Sequence, residues 1–266
     1  MPDPLLEQLA RGVRIFDLGR PLFQGMPQSP NHPPFRIALQ RRHGDVVRAD
    51  GGSAASETII AGGHVGTHID ALCHVSHDGR MFGGIDAADA QTGGRFSALG
   101  IDTVEPIVRR GVLLDVGVRA PGYEVTPDDL DAALGTMELR AGDVALIRTG
   151  WGQRWDDPDA YVGRDSGVPG PGEESAKWLA SKGVFAAGAD TIAFEQLSPG
   201  AGHALLPAHR VLLVEHGIHI LETLALEELA AAGAREFVFV CAPLKIVGGT
   251  GSPVRPLAVV SVDDAG

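Results

Sequence analysis

The chain reads as a strand-rich α/β protein forming a single domain over residues 1–266. Three observations carry that reading. Of the 266 residues 44% are hydrophobic, enough for a sizeable core. Short β-like runs outnumber helical ones. The 36 glycines and 18 prolines are scattered rather than gathered into a linker, and no internal repeat is visible.

Taken in order, residues 13–18, 35–40 and 57–61 read as strands, parted by the turn-rich stretches 27–34 and 50–53. Residues 64–70 read as a fourth strand, and 111–116, 143–148, 184–187, 218–221, 236–240 and 254–261 as further ones. Thr126-Pro127-Asp128-Asp129 is a helix start, with Thr as N-cap, Pro in the first position and acids in the first turn. Glu173–Ser181 reads as a second helix closed by Gly183. Residues 209–215 read as a third, ending at Gly217, and 227–232 as a short fourth.

A net charge of −12 without a Lys/Arg cluster argues against nucleic acid and anionic membranes as partners. Apolar runs of about 18 residues and a charged-then-apolar leader are both missing, so neither a membrane span nor a signal peptide is expected. Two cysteines, Cys73 and Cys241, cannot build a disulfide framework, and reduced thiols in the cytoplasm are the expectation.

The chemical signal is His64-Val65-Gly66-Thr67-His68-Ile69-Asp70, followed by His74. On a strand, positions 64, 68 and 70 share parity and point to one face, with Gly66 leaving room for an ion between them. A helix would turn Asp70 away, and Val65-Gly66-Thr67 is a poor helical interior. Two imidazoles and a carboxylate with open positions suit Zn²⁺, Mn²⁺ or Fe²⁺ holding a reactive water. A lone strand histidine is ordinarily structural, but the ten histidines are clustered. Four fall at His64, His68, His74 and His77, and four more at His203, His209, His216 and His219.

His74 is either a further ligand or the acid/base, and the acid/base role is preferred because imidazole titrates in the right range. His77 reads as a solvated turn residue. Cys73 beside His74 invites a Cys-His pair, but sequence neighbours on a strand face opposite ways, so Cys73 reads as a small buried apolar residue. His209 leads one apolar run and Glu222 closes another. An acid there marks either emergence into solvent or a buried ligand, and the residues alone leave both open. His203, His216 and His219 read as surface or supporting residues. Gly248-Gly249-Thr250-Gly251 lacks both P-loop and dinucleotide spacing, and no Gly-x-Ser-x-Gly elbow occurs. The roles of Trp151, Trp155 and Trp178 stay open.

His64-x-Gly66-Thr67-His68-x-Asp70-x-x-x-His74 resembles the signature of the cyclase-like metal-dependent hydrolases, which include bacterial kynurenine formamidase and isatin hydrolase. Phe16-Asp17-Leu18 with Met26-Pro27 is similar to that family's opening strand and loop. His209-Arg210-Val211-Leu212-Leu213 through Ile220-Leu221-Glu222 is similar to its second signature. Residues 239–244 with Ser252-Pro253-Val254-Arg255 resemble its closing strands. The resemblance implies a swivelling β/β/α fold, a homodimer or homotetramer, and hydrolysis of a formamide or cyclic amide through a metal-activated water. It implies His64, His68 and Asp70 as ligands of Mn or Zn and His74 as the catalytic acid/base. His209 and Glu222 match positions that complete a second metal in some members and support the first in others. One or two ions are therefore expected.

The chain departs from the compact formamidases in two ways. Ala71-Leu72-Cys73 replaces their proline shortly after the aspartate, and the segments 76–84 and 151–172 are longer. Loops that line a pocket set substrate choice. A cyclic amide or lactam is therefore expected over N-formylkynurenine. The competing expectations are an arylformamidase, a metal-dependent cyclase or lyase acting on a small carbonyl compound, and a non-catalytic binding module, which would have no use for His74.

Overall fold

A computed structural model describes residues 4–262. Its spine is a nine-stranded mixed sheet. The strands are β1 (Val13–Asp17), β2 (His68–Asp70), β3 (Ile107–Asp115), β4 (Val144–Arg148), β5 (Ala186–Ala189), β6 (His219–Glu222), β7 (Glu236–Cys241), β8 (Gly251–Pro253) and β9 (Leu257–Ser261). Their spatial order is β1-β9-β7-β3-β4-β5-β6-β2-β8. The four central strands β3, β4, β5 and β6 are parallel, and every other pairing is antiparallel.

The central strands read as near-continuous apolar runs because both faces of the sheet are covered. Leu113, Leu146 and Leu221 enter one core with Phe16, Met81 and Leu229. Their neighbours Val112, Leu114, Ala145, Ile147 and Ile220 enter the other. The second core is capped by α1 (Pro127–Leu134) and α2 (Glu173–Ser181), which contribute Leu130, Leu134, Ala176 and Leu179. Thr126 caps α1 as expected, and its side chain and that of Asp129 satisfy each other's backbone N–H groups.

Several elements differ from expectation. The expected strand 64–70 is strand only at His68–Asp70. β3 begins at Ile107, because Arg109 and Arg110 sit mid-strand with partly exposed side chains. The last expected strand, 254–261, is strand only at β9 (Leu257–Ser261), and β8 lies before it at Gly251–Pro253. The third helix begins at Pro207, and its residues Arg210–Glu215 take π-helical geometry, a form found disproportionately at functional sites. A hairpin of Arg36–Arg41 and Ser56–Ile60 stands off the sheet with every residue exposed. No helix among the described residues is long and apolar enough to cross a membrane.

Candidate metal centre

The pairing of β6 with β2 builds the site. Glu222 lies directly opposite His68 in the antiparallel register, and directly opposed residues share a face. Asp70, two residues on, points the same way. Ile69 and Leu221 point oppositely, into the apolar core. A carboxylate, an imidazole and a second carboxylate thus emerge side by side, all buried.

His64 reaches the cluster by a bend rather than along a strand. Gly66 adopts φ +59°, and a Cβ there would sit 2.4 Å from Leu22 Cδ2. Gly66 therefore serves the turn of the backbone and its fit against Leu22, not space for an ion. The bend places His64 Nδ1 2.7 Å from Asp70 Oδ1 and its Nε2 2.9 Å from Thr250 Oγ1. Gly251 makes room for this ring, since a Cβ on it would lie 2.5 Å from His64 Cε1. His74 follows β2 on a loop and stacks on His64 with centroids 3.8 Å apart. His209 enters from the helical segment beyond Pro207.

Tautomers decide what this cluster can hold. His68 Nδ1 lies 2.8 Å from the Gly66 carbonyl, so it donates there. The neutral ring then presents its Nε2 lone pair to Asp70 Oδ1 at 3.6 Å and Glu222 Oε2 at 3.4 Å. His209 repeats the pattern. Its Nδ1 lies 2.6 Å from Glu195 Oε1, and its Nε2 faces Asp70 Oδ2 at 3.7 Å and Glu222 Oε1 at 3.2 Å. A lone pair and carboxylate oxygens aimed at one another in a dry site, as at His68, repel unless a proton or a metal cation lies among them. Asp70 Oδ2 is moreover fully buried without a hydrogen-bond partner. These residues fit a divalent cation. Two donor groups converge, His68/Asp70/Glu222 and His64/Asp70/His74, each with ligand atoms within 4.8 Å of one another. Asp70 belongs to both.

The titration tendencies follow the same geometry. Burial would raise the Asp70 carboxyl, but His74, His64 and His68 around it hold it far below the usual carboxylate range. Burial would lower His209, yet Glu195 and Glu222 push it up to about 10 without a metal. Burial brings His74 down to about 3 against the pull of Asp70, so its ring is neutral at ordinary pH. Backbone strain flanks the cluster. Thr223 after Glu222 and Phe194 before Glu195 have φ of +60° and +57°, costing roughly 1–3 kcal/mol each where the surroundings enforce them.

All six residues expected at the site, His64, His68, Asp70, His74, His209 and Glu222, therefore meet in one cluster. His77 and His216 do not; both are exposed. His219 supports from behind, with Nδ1 2.8 Å from the Asp70 carbonyl. Cys73 is buried, its thiol pushed up to about 11 by burial. Trp151 and Trp155 wall a small core beneath the 151–172 segment, with Tyr161. Two residues escaped the sequence. Glu195 accepts from the backbone N–H groups of Ala208 and His209 as well as from the His209 ring, and His32 stacks on His64 at 5.1 Å. Only their spacing from a distant partner marks them, and a single sequence does not show it.

Fold and cluster together define a mixed α/β protein with a buried His/Asp/Glu centre able to hold a metal. The family model Cyclase ("Putative cyclase") matches residues 16–196, well over half the chain, and the chain belongs to that family. It is 29% identical over 221 residues to the isatin hydrolase of Roseibium aggregatum, covering 80% of this chain and 77% of that protein. It is 24% identical over 241 residues to the kynurenine formamidase of Bacillus cereus, covering 90% of this chain and 94% of that one. Among solved structures, a crystal structure of a novel cyclase superposes with a TM-score of 0.83 at 28% identity, covering 97% of this chain and 93% of that one.

Proposed function

We propose that this chain is a metal-dependent hydrolase that cleaves a C–N bond of a cyclic amide or lactam. The observation that carries this reading is that the Nε2 atoms of His68 and His209 both face Glu222 and Asp70, whose Oδ2 is buried without a hydrogen-bond partner. The likeness to isatin hydrolase supports the substrate class. His68, His209, Asp70 and Glu222 would hold one ion, and His64 with Asp70 and His74 could hold a second. Imidazole and carboxylate donors without a thiolate suit Zn²⁺ or Mn²⁺. Such an ion, when bound, acidifies water toward neutral pH and polarises an amide carbonyl.

The remaining work falls to side chains. His74, stacked on the His64 ring, takes the proton from the attacking water and returns it to the departing nitrogen. Glu222, opposite His68 on the neighbouring strand, orients that water. Glu195 holds the His209 ring in the tautomer that leaves Nε2 free. Action on N-formylkynurenine is the second reading, favoured by the formamidase relatives, and a cyclase or lyase reaction on a small carbonyl compound is the third.

The test is a panel of lactams, cyclic imides, N-formylkynurenine and lactones, run on chelator-treated protein with Zn²⁺ or Mn²⁺ restored and on His68→Ala. Metal-restored hydrolysis of isatin-type cyclic amides, lost in His68→Ala together with bound metal, is expected. Full activity with metal confirmed absent sinks the proposal, and a clear preference for the aryl formamide replaces it with the second reading.

We also read the chain as a cytoplasmic homodimer or homotetramer. Two buried free cysteines fit a reducing compartment. The standing hairpin exposes Ile37, Leu39, Ile59 and Ile60, and an isolated two-stranded hairpin is marginally stable in water, so a second copy is its natural cover. Light scattering that shows a monomer at micromolar concentration refutes the oligomer.

A further inference from the structure

Beside the metal cluster lies a cavity of about 490 Å³, formed by segments 29–31, 162–164 and 197–204 with Ile192. That is within the usual range for small-molecule sites, roughly 300–1,000 Å³. Its composition runs against the rest of the molecule. The chain carries 34 acidic residues and a net charge of −12, yet no Asp or Glu lines this cavity, and its ionisable residues are Arg164 and His203. The other polar groups are the short donors Ser29, Asn31 and Ser198, and much of the floor is glycine and alanine.

The Arg164 guanidinium makes no ion pair or hydrogen bond among the described residues. Asp159 and Asp165 line an adjoining depression that Arg164 also borders, and neither forms an ion pair with it. Two of its lining residues, Asn31 and His203, connect the cavity with the neighbourhood of the cluster. Asn31 precedes His32, whose ring lies 5.1 Å from His64 and 6.4 Å from His74. His203 sits near enough to His209 and Glu195 to feel their charges.

We propose that the non-reacting part of the substrate carries a carboxylate, bound by Arg164 with His203 and His32 along its path, while the amide carbonyl lies at the metal cluster. This rests on the amide-hydrolase reading and narrows it to an anionic cyclic amide. A planar guanidinium with no partner in an otherwise acidic protein matches a carboxylate bidentately. The lack of any lining acid removes the repulsion that would oppose it.

The test separates binding from turnover. Oxindole, an unactivated lactam, and its four ring-carboxylated derivatives are titrated calorimetrically into the Zn²⁺-loaded protein. At least one derivative is expected to bind roughly tenfold or more tightly than oxindole, the worth of a charge-assisted hydrogen bond. Arg164→Gln should bring the affinities of that derivative and oxindole together, and His203→Gln should take part of the gain. The proposal is overturned if no derivative outbinds oxindole, or if the gain survives Arg164→Gln. Isatin hydrolysis is measured on the same preparation. If isatin is untouched while the Arg164-dependent gain is present, the reaction assignment fails and the anion site stands.

Discussion

Glu195 offers the sharpest perturbation, because it touches the cluster only through His209. Its carboxylate accepts from the Ala208 N–H at 3.0 Å, the His209 N–H at 2.9 Å and His209 Nδ1 at 2.6 Å. In Glu195→Gln one amide oxygen replaces two: turned to keep the Ala208 bond made by Oε2, it leaves the NH₂ at the Oε1 position, facing both the His209 N–H and its Nδ1–H. The ring escapes the clash by moving its proton to Nε2, the atom that faces Glu222 Oε1 at 3.2 Å. A proton then points where a lone pair is needed. Loss of such an orienting partner lowers metal affinity about 10–100-fold, equivalent to about 1.4–2.7 kcal/mol. His68 is oriented independently by the Gly66 carbonyl, so metal binding should weaken and not vanish. Competition with a chromophoric chelator measures the affinity, and thermal melting of the metal-free protein checks that the fold is kept. Glu195→Asp, which keeps the charge, should recover part of the loss. An affinity within threefold of wild type in Glu195→Gln would show that the Glu195 charge does not set how His209 presents Nε2 to the ion.

His74→Ala should retain the metal and lose about 10²–10⁴-fold in rate, the usual worth of a positioned acid/base; loss of stoichiometric metal by elemental analysis would make it a ligand, as its place with His64 and Asp70 allows. Glu222→Gln keeps the shape and removes a charge, so a folded protein with markedly lower turnover is expected, and unchanged kinetics would remove Glu222 from the chemistry. The metal-free protein should lose stability as pH rises toward 10. His209 is raised from an ordinary value near 6.5 to about 10, against the lowering effect of burial, by Glu195 and Glu222. Its contribution is therefore complete below about 6.5 and lost as pH climbs through the folded value. Calorimetric melting in chelator at pH 6, 8 and 10 should show the decline, and His209→Gln should flatten it.

The share of this site legible in the sequence follows from how each residue is delivered. His68, Asp70 and Glu222 sit on regular strands, where parity fixes the face, so local spacing was enough to group the first two. It could not say that Glu222 lies opposite His68, because an antiparallel register between residues about 150 positions apart leaves no local trace. That unseen register kept the acid ambiguous between solvent and site until the family resemblance weighed in. His64 was placed on the right face for the wrong reason. Strand parity assigns that face, whereas the left-handed bend at Gly66 and the gap at Gly251 deliver the ring. A glycine between two ligands looked like room for an ion, when its freedom was spent on the backbone. Glu195 and His32 lie on irregular segments with no period to read, and each acts on a partner supplied by another part of the chain. The central parallel strands were visible because burial on both faces writes an uninterrupted apolar run. β8 was not visible, since Gly251-Ser252-Pro253 has no strand composition and is held by its pairing with β2. Regular elements announce their own faces, and a site assembled from bends and distant registers appears only once the chain has closed around it.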